Sequence, residues 1–411
     1  AEPTTVHFDT LSDAEIDAYV STGEPLEVAG SFTIDGLGGP FIRGVTGDPH
    51  SVVGISLPLL RHLAADLGVF WPDLWDGSRP YRLAVVMTSF LASGIGLATV
   101  TETGRTLDVW YPKPSLGEGA VDGQAELLET LSRLERSDVA RGVHTQVVRC
   151  VSDLEDQPNS TADAYLRLHL LSHRLVQPNG LNLDGILSRL PTVVWTAAGP
   201  CPVDGFEETR FQLRAKFGHP VAVLGVDKFP PMTNYVVPAG VRIADGARVR
   251  LGAHLAEGTT VSHAAMVNYN AGTLGRSNIE GRVAQGVIIG ADSDIGGGAS
   301  TMGTVAGSSR EKVRIGERCL LGANSGLAIP IGDDCVIESG LYLTGNTLVS
   351  LMVTGGVVPG SSGHFIDPPV VAARELSGAS NVLFRRNSTN GRIEALARGG
   401  LPIRLADGTH P

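Results

Sequence analysis

One carboxylate stands in the least regular stretch of the second half of the chain. The segment VNYNAGTLGRSNIEGR, residues 267–282, carries Asn268, Asn270, Glu280 and Arg282 among small residues. A glutamate so placed can carry a proton or act as a nucleophile. Beside Arg282 it can equally form a surface ion pair. Two glycine-rich stretches, GGGASTMG (Gly296 to Gly303) and GANSG (Gly322 to Gly326), would let a long ligand approach backbone amides closely. Both also read as tight corners. Arg385 and Arg386 in FRRNS suit a phosphate or a carboxylate.

The elements that position these residues announce themselves by an aliphatic period of six. Ile243, Val249, Leu255, Val261 and Val267 form one run, and Val283, Ile289 and Ile295 a second. Ile315, Leu321 and Leu327 form a third, and Ile331, Ile337, Leu343 and Val349 a fourth. This period fits neither a helix (about 3.6) nor an ordinary strand (about 2). It fits a solenoid of triangular coils in which each six-residue side points one aliphatic residue inward. Residues 236–350 then make about six coils, a prism roughly 28 Å tall at ~4.8 Å per coil. Between Val267 and Val283 the spacing is 16, and the register breaks where Glu280 lies. A break in a repeat is where a functional site is expected.

Composition narrows the function classes. The chain has 411 residues, 52 of them glycine, and only 5% are aromatic, as narrow coils with tight corners require. A net charge of −11 disfavours nucleic acid or an anionic membrane as partner. There is no apolar run of about 18 residues and no basic, apolar leader, so a cytoplasmic location is expected. Cys150, Cys201, Cys319 and Cys335 lack metal-site spacing and read as reduced core thiols. A zinc site on the solenoid would need stacked histidines. His254 and His263 are nine residues apart, not a multiple of six, and His364 lies outside the repeat.

The chain divides into five parts. In residues 1–75, SDAEIDAYV reads as a helix capped at Ser12 or Asp13, GSFTIDGLGGPFIRGVTG as a hairpin, and GISLPLLRHLAADLG as an amphipathic helix. Residues 76–86 read as a linker, and Met87 opens a fresh segment, as if a second coding unit began there. Residues 87–235 read as α/β. IGLATV and LDVWYP are strands around ETGR, DAYLRLHLLSHRLV is a helix stopped by Pro178, LPTVVWTAAGPC is a buried strand running into a turn, and HPVAVLGVDKFP is a second strand. Residues 236–350 are the solenoid, and 351–411 form an extension with strand-like LFRR and RIEALAR.

TGEPLEVAGSFTIDGLGGPF followed by GDPHSVVGISLPLLRHL resembles the C-terminal part of the Maf-type nucleotide pyrophosphatases. That family's Ser-Pro-Arg-Arg motif and acidic metal ligands are absent, so no pyrophosphatase activity is expected. From residue 87 onward the motifs DAYLRLHLLSHRLV, VVWTAAGPC, GVDKFP, NYNAGTLG, IEGR, CLLGANSG, IGDDCVIE and ARELSGASN resemble the tetrahydrodipicolinate N-succinyltransferases of actinobacterial type.

The resemblance implies a mixed α/β N-terminal region followed by a left-handed parallel β-helix, a hexapeptide-repeat solenoid. It implies succinyl transfer from succinyl-CoA to the amine of 2-amino-6-oxopimelate in lysine and diaminopimelate biosynthesis. It also implies a homotrimer with active sites between prisms. Glu280 matches the family's catalytic glutamate, as proton carrier or covalent acyl carrier. Arg282, Gly297, Ser300, Ala323, Glu338, Ser339, Asn346, Arg385, Arg386, Asn387 and Ser388 fall on ligand-binding positions, and backbone N–H groups near Gly303 are oxyanion donors. The family's axial metal ligands fall on Ala247 and Ala264, which cannot bind a hard cation, so no metal is expected there. A lysine near the cofactor falls on Ala372. The alternatives are an acetyl-CoA-dependent transferase on the same amine and a catalytically silent trimeric scaffold.

Overall fold

The computed structural model describes residues 4–26, 32–34, 36–48, 50, 52, 56–66, 91–117, 125–304, 312–352 and 368–399. These form two compact units, divided between Thr88 and Ser89. The expected linker, Met87 and His364 lie outside the described residues, as does most of the segment between Leu351 and Pro369.

In the first unit, the helix Asp13–Ser21 starts at Ser12. The Ser12 N–H donates to Glu15 Oε2 at 2.8 Å, and the Glu15 N–H donates back to Ser12 Oγ at 3.4 Å. The expected glycine-turned hairpin does not form among the described residues. Strand Ile42–Thr46 pairs instead, antiparallel, with Thr5–Phe8. The reason is Glu24, whose carboxylate accepts from the N–H groups of Leu37 (3.1 Å) and Gly38 (3.2 Å) and from the hydroxyls of Thr33 and Tyr19. Those bonds gather Thr33, Leu37 and Gly38 onto Glu24. The helix Leu57–Asp66 leaves Leu57, Leu59, Leu60 and Leu63 exposed.

The second unit begins with an antiparallel sheet in the order Thr106–Trp110, Leu91–Thr101, Val143–Asp153, Arg136–Asp138. The helix Thr161–Ser172, capped by Ser160, packs on it, and every residue from Asp163 to Ser172 is buried. This helix is central. Its polar residues are satisfied internally. Arg167 Nε donates to Asp163 Oδ1 at 2.8 Å, and its terminal nitrogens donate to Ser152 Oγ and to the carbonyls of Asp153, Asp156 and Asn182. The helix ends before Pro178 is reached. Arg174 turns left-handed (φ 63°), its N–H bonds Leu171 O, and the Leu175 N–H bonds Leu170 O, which closes a Schellman cap. A smaller sheet of Val193–Thr196, Gly199–Pro202 and Val223–Asp227 carries the helix Phe206–Phe217.

The remainder is a three-sided parallel β-helix. Its first face stacks Arg242–Ile243, Thr260–Val261, Ser277–Ile279, Ser293–Ile295, Leu320–Leu321, Val336–Ile337 and Val382–Arg386. Its second face stacks Met266–Val267, Arg282–Val283, Ser300–Thr301, Gly326–Leu327 and Tyr342–Leu343. Its third stacks Gly272–Thr273, Ile288–Ile289 and Arg314–Ile315. The inward aliphatics, from Val249 through Leu343, are buried in one core shared with the helix Thr161–Ser172. Ser172 Oγ ties the two parts together, accepting from the Gly252 N–H at 2.8 Å and donating to Ala253 O at 3.2 Å.

One expectation about the repeat is sharpened and another corrected. The register breaks between Val267 and Val283 only at the corner of Glu280. It continues through buried Thr273 and Ile279 as six, six and then four residues. The Val349 run also leaves the coil: Leu348–Met352 pairs with Val370–Ala372 and Ile393–Ala397. Phe384 supplies the next rung after Ile337 in its place.

Candidate active site

The shortened side of the coil is a single corner. Between the first and second faces, successive corners comprise residues 262–265, 280–281, 296–299, 322–325 and 338–341. Four of these have four residues, and the one made by Glu280 and Gly281 has two. Glu280 therefore sits in a notch in one edge of the prism. The Ile295 carbonyl below it accepts from both Glu280 N–H (2.8 Å) and Gly281 N–H (3.1 Å). The same edge continues through Gly296 N–H to Leu321 O, Gly322 N–H to Ile337 O, and Glu338 N–H to Phe384 O.

This column brings together most of the residues expected to bind ligand. Glu280, Gly297, Ala323 and Ser339 occupy successive corners, and Arg385 and Arg386 follow Phe384 on the last rung. Arg282 and Ser300 are direct neighbours where the second face begins. Four coil steps separate Ile279 from Phe384, about 19 Å at ~4.8 Å per step. Glu280 is exposed, and its carboxylate has no hydrogen-bond or ion-pair partner among the described residues. The pairing with Arg282 that its sequence position allowed is not made, and Arg282 is likewise exposed and without a carboxylate partner among those residues. A β-carbon on Gly297 would lie 3.6 Å from Glu280 Oε2, so the absent side chain leaves one wall of the notch open. At Gly281 a β-carbon would meet Ile295 Cγ2 at 2.8 Å and Gly296 O at 2.9 Å. Only glycine makes so short a corner against the next coil.

Other expected residues have different employment. Asn270 is buried with φ 53° and faces the α/β region, not Glu280. Its Oδ1 accepts from the Asn179 N–H at 2.7 Å, and its Nδ2 donates to Asn179 Oδ1 at 3.0 Å. Asn268 Oδ1 accepts from Arg250 at 3.1 Å. Gly303 is not on the Glu280 edge. It follows the second face, with Gln285 O and Ala284 Cβ beside it. Ser388 and Asn346 are exposed on turns. Ala372 caps a short helical turn, its N–H donating to Glu375.

The arginine pair is divided between two jobs. Arg385 donates from Nε and a terminal nitrogen to Glu394 Oε2, each at 3.0 Å. Asn387 Nδ2 donates to Glu394 Oε1 at 2.7 Å. Glu394 is 3% exposed. Arg386 is exposed, one guanidinium nitrogen donating to Gly391 O at 3.1 Å, while its backbone N–H donates to Glu338 Oε2 at 2.6 Å. Sequence reasoning did not single out Glu394. The signal was one carboxylate inside apolar RIEALAR, directly across the strand pair from Arg385.

Ala247 and Ala264, both exposed, offer no side-chain donor atom to a cation. His254 is buried with Nδ1 3.0 Å from Thr273 O, and burial pushes its pKa below the usual imidazole range; His263 is exposed on a turn. Among the described residues no three His, Cys, Asp or Glu side chains are grouped to hold a metal ion. None of the helices among these residues is long and apolar enough to cross a membrane.

Comparison with known proteins places this geometry in context. Residues 1–67 match the Maf-like protein family, residues 190–230 the middle domain of tetrahydrodipicolinate N-succinyltransferase, and residues 312–345 the hexapeptide repeat of succinyl-transferase. The chain is 42% identical over 337 residues to a 2,3,4,5-tetrahydropyridine-2,6-dicarboxylate N-succinyltransferase from Vibrio cholerae, covering 75% of this chain and 95% of that one. It is 42% identical over 333 residues to the protein of the same name from Pseudomonas paraeruginosa, covering 74% and 94%. A crystal structure of a Campylobacter jejuni protein, described as a 2,3,4,5-tetrahydropyridine-2-carboxylate N-succinyltransferase, superposes with a TM-score of 0.64 at 25% identity over 74% of this chain and 92% of that one. Joined to the Maf-like segment at its N-terminus, the chain belongs to the 2,3,4,5-tetrahydropyridine-2,6-dicarboxylate N-succinyltransferase family.

Proposed function

We propose that the Glu280 edge is where this chain transfers succinyl from succinyl-CoA to the amine of 2-amino-6-oxopimelate, the open form of tetrahydrodipicolinate, in lysine and diaminopimelate synthesis. The observation that carries the proposal is the notch. A carboxylate with no partner among the described residues lies beside open backbone, and the column of corners that runs on from it ends beside the exposed Arg386. The column suits an extended donor such as the pantetheine arm of coenzyme A, with the thioester at the notch and its anionic groups toward Arg386. Arg282, beside Ser300 on the adjoining face, suits a carboxylate of the acceptor or of the succinyl group.

The chemistry asked of the site is modest. The amine attacks the thioester carbonyl, a C–N bond forms, the C–S bond breaks, and the thiolate leaves. The amine must shed a proton that the thiolate needs, and Glu280 is placed to carry it from one to the other. The oxyanion needs backbone donors. Gly303 lies at a different corner from Glu280, so we assign its N–H to the site of a neighbouring chain. That assignment fits a homotrimer with sites between left-handed prisms, held by packing without an axial metal. The domain plan is a Maf-like segment (1–75), a linker (76–86), an α/β domain (87–235), the solenoid (236–350) and an extension (351–411), acting on small molecules in the cytoplasm. The test is release of free CoA with 2-aminopimelate as acceptor. Release from succinyl-CoA far above that from acetyl-CoA is expected. Preference for acetyl-CoA, or release from neither, overturns the assignment.

A further inference from the structure

We propose that Glu394, which lies outside the notch, is a positioning residue for the acyl-CoA donor, an inference that rests on the donor reading of residues 385–388. Both of its carboxylate oxygens are occupied, one by Arg385 and the other by Asn387. It neutralises Arg385 and clamps the residues on either side of Arg386. The Glu338 carboxylate fixes the Arg386 backbone from the coil before. Of four consecutive polar residues, Arg386 is then the one cation left to meet an anionic ligand. Arg385, though 43% exposed, has its charge spent on a carboxylate that is 4% exposed. The two adjacent arginines are thus not interchangeable, and the carboxylate that separates their roles comes from the neighbouring strand, Ile393–Ala397.

The experiment measures KM for succinyl-CoA, KM for the acceptor, kcat and the thermal midpoint in Glu394→Gln and Arg386→Ala. Arg386→Ala should raise the donor KM about tenfold, the scale of one lost charge-assisted bond. Glu394→Gln should raise the donor KM by a similar factor, with the acceptor KM unchanged. If Arg386→Ala raises the donor KM but Glu394→Gln does not, the positioning role is wrong and the donor site stands. A fall in thermal midpoint and kcat with no change in donor KM gives Glu394 a structural role only and likewise overturns the proposal. If Arg386→Ala leaves the donor KM unchanged, the donor reading of the segment itself fails.

Discussion

Glu280 and Gly297 lie on adjacent coils, and a β-carbon on Gly297 would stand 3.6 Å from the Glu280 carboxylate. That is ordinary contact distance, so alanine fits there while leucine would cover the carboxylate. Gly297→Ala should keep the thermal midpoint within about 2 °C, as changes without strain do. Gly297→Leu should lower kcat/KM for succinyl-CoA at least about tenfold. Steady-state kinetics beside thermal denaturation check both.

Gly281 sets the depth of the notch. An alanine there would collide with Ile295 Cγ2 and Gly296 O, so the coil must shift. Gly281→Ala should destabilise the protein by about 1–3 kcal/mol, the usual cost of overpacking, and displace Glu280 as it does so. A lower urea midpoint together with a lower kcat is the expected pair of results.

The solenoid was legible because the inward position of each side recurs every six residues, and the core confirms it at Val249, Val261, Ile289 and Ile337. The notch was legible only as a slip in that count. Thr273 hid one inward position, since a threonine does not read as core, and the slip therefore spread over sixteen residues instead of the four from Ile279 to Val283. Strand Val143–Asp153 escaped notice because VHTQVVRCVSD alternates poorly in burial along its length. Helix Thr161–Ser172 was visible, but its central place was not: Asp163, Arg167 and His169 look like a solvated face until Ser152 and the carbonyls of Asp153, Leu154, Asp156 and Asn182 turn inward to meet Arg167. The hairpin expected near Gly36 lost to Glu24, a carboxylate whose reach no local pattern reveals.

The buried pair Arg167–Asp163 makes a stability prediction. Removing one partner strands the other charge away from water. Arg167→Leu should cost about 3–5 kcal/mol, the scale of a broken buried pair, measured by urea denaturation at neutral pH. A cost under 1 kcal/mol would contradict the burial assigned to Asp163.

His169 makes a pH prediction. Its ring is fully buried, with Nδ1 2.8 Å from Tyr165 O and the Tyr111 N–H donating to Nε2 at 3.2 Å, so the neutral ring uses both nitrogens. Burial lowers its pKa to about 3. The unfolded ring protonates near 6.5 while the folded one stays neutral. Its contribution is therefore complete above about pH 6.5 and is lost as pH falls toward 3, at up to ~1.4 kcal/mol per pH unit. Between pH 7 and pH 5 wild type should lose about 2 kcal/mol more than His169→Gln, followed by urea midpoints at each pH. Parallel pH profiles would contradict it.

The central claim is that Glu280 carries the proton of acyl transfer. Its most direct test is the rate of CoA release from saturating succinyl-CoA and 2-aminopimelate by Glu280→Gln, with thermal denaturation as the check on folding. The account predicts a fall of about 10²–10⁴-fold with the midpoint unchanged. A folded variant that turns over within about twofold of wild type would contradict it, since general acid–base groups are worth far more than that.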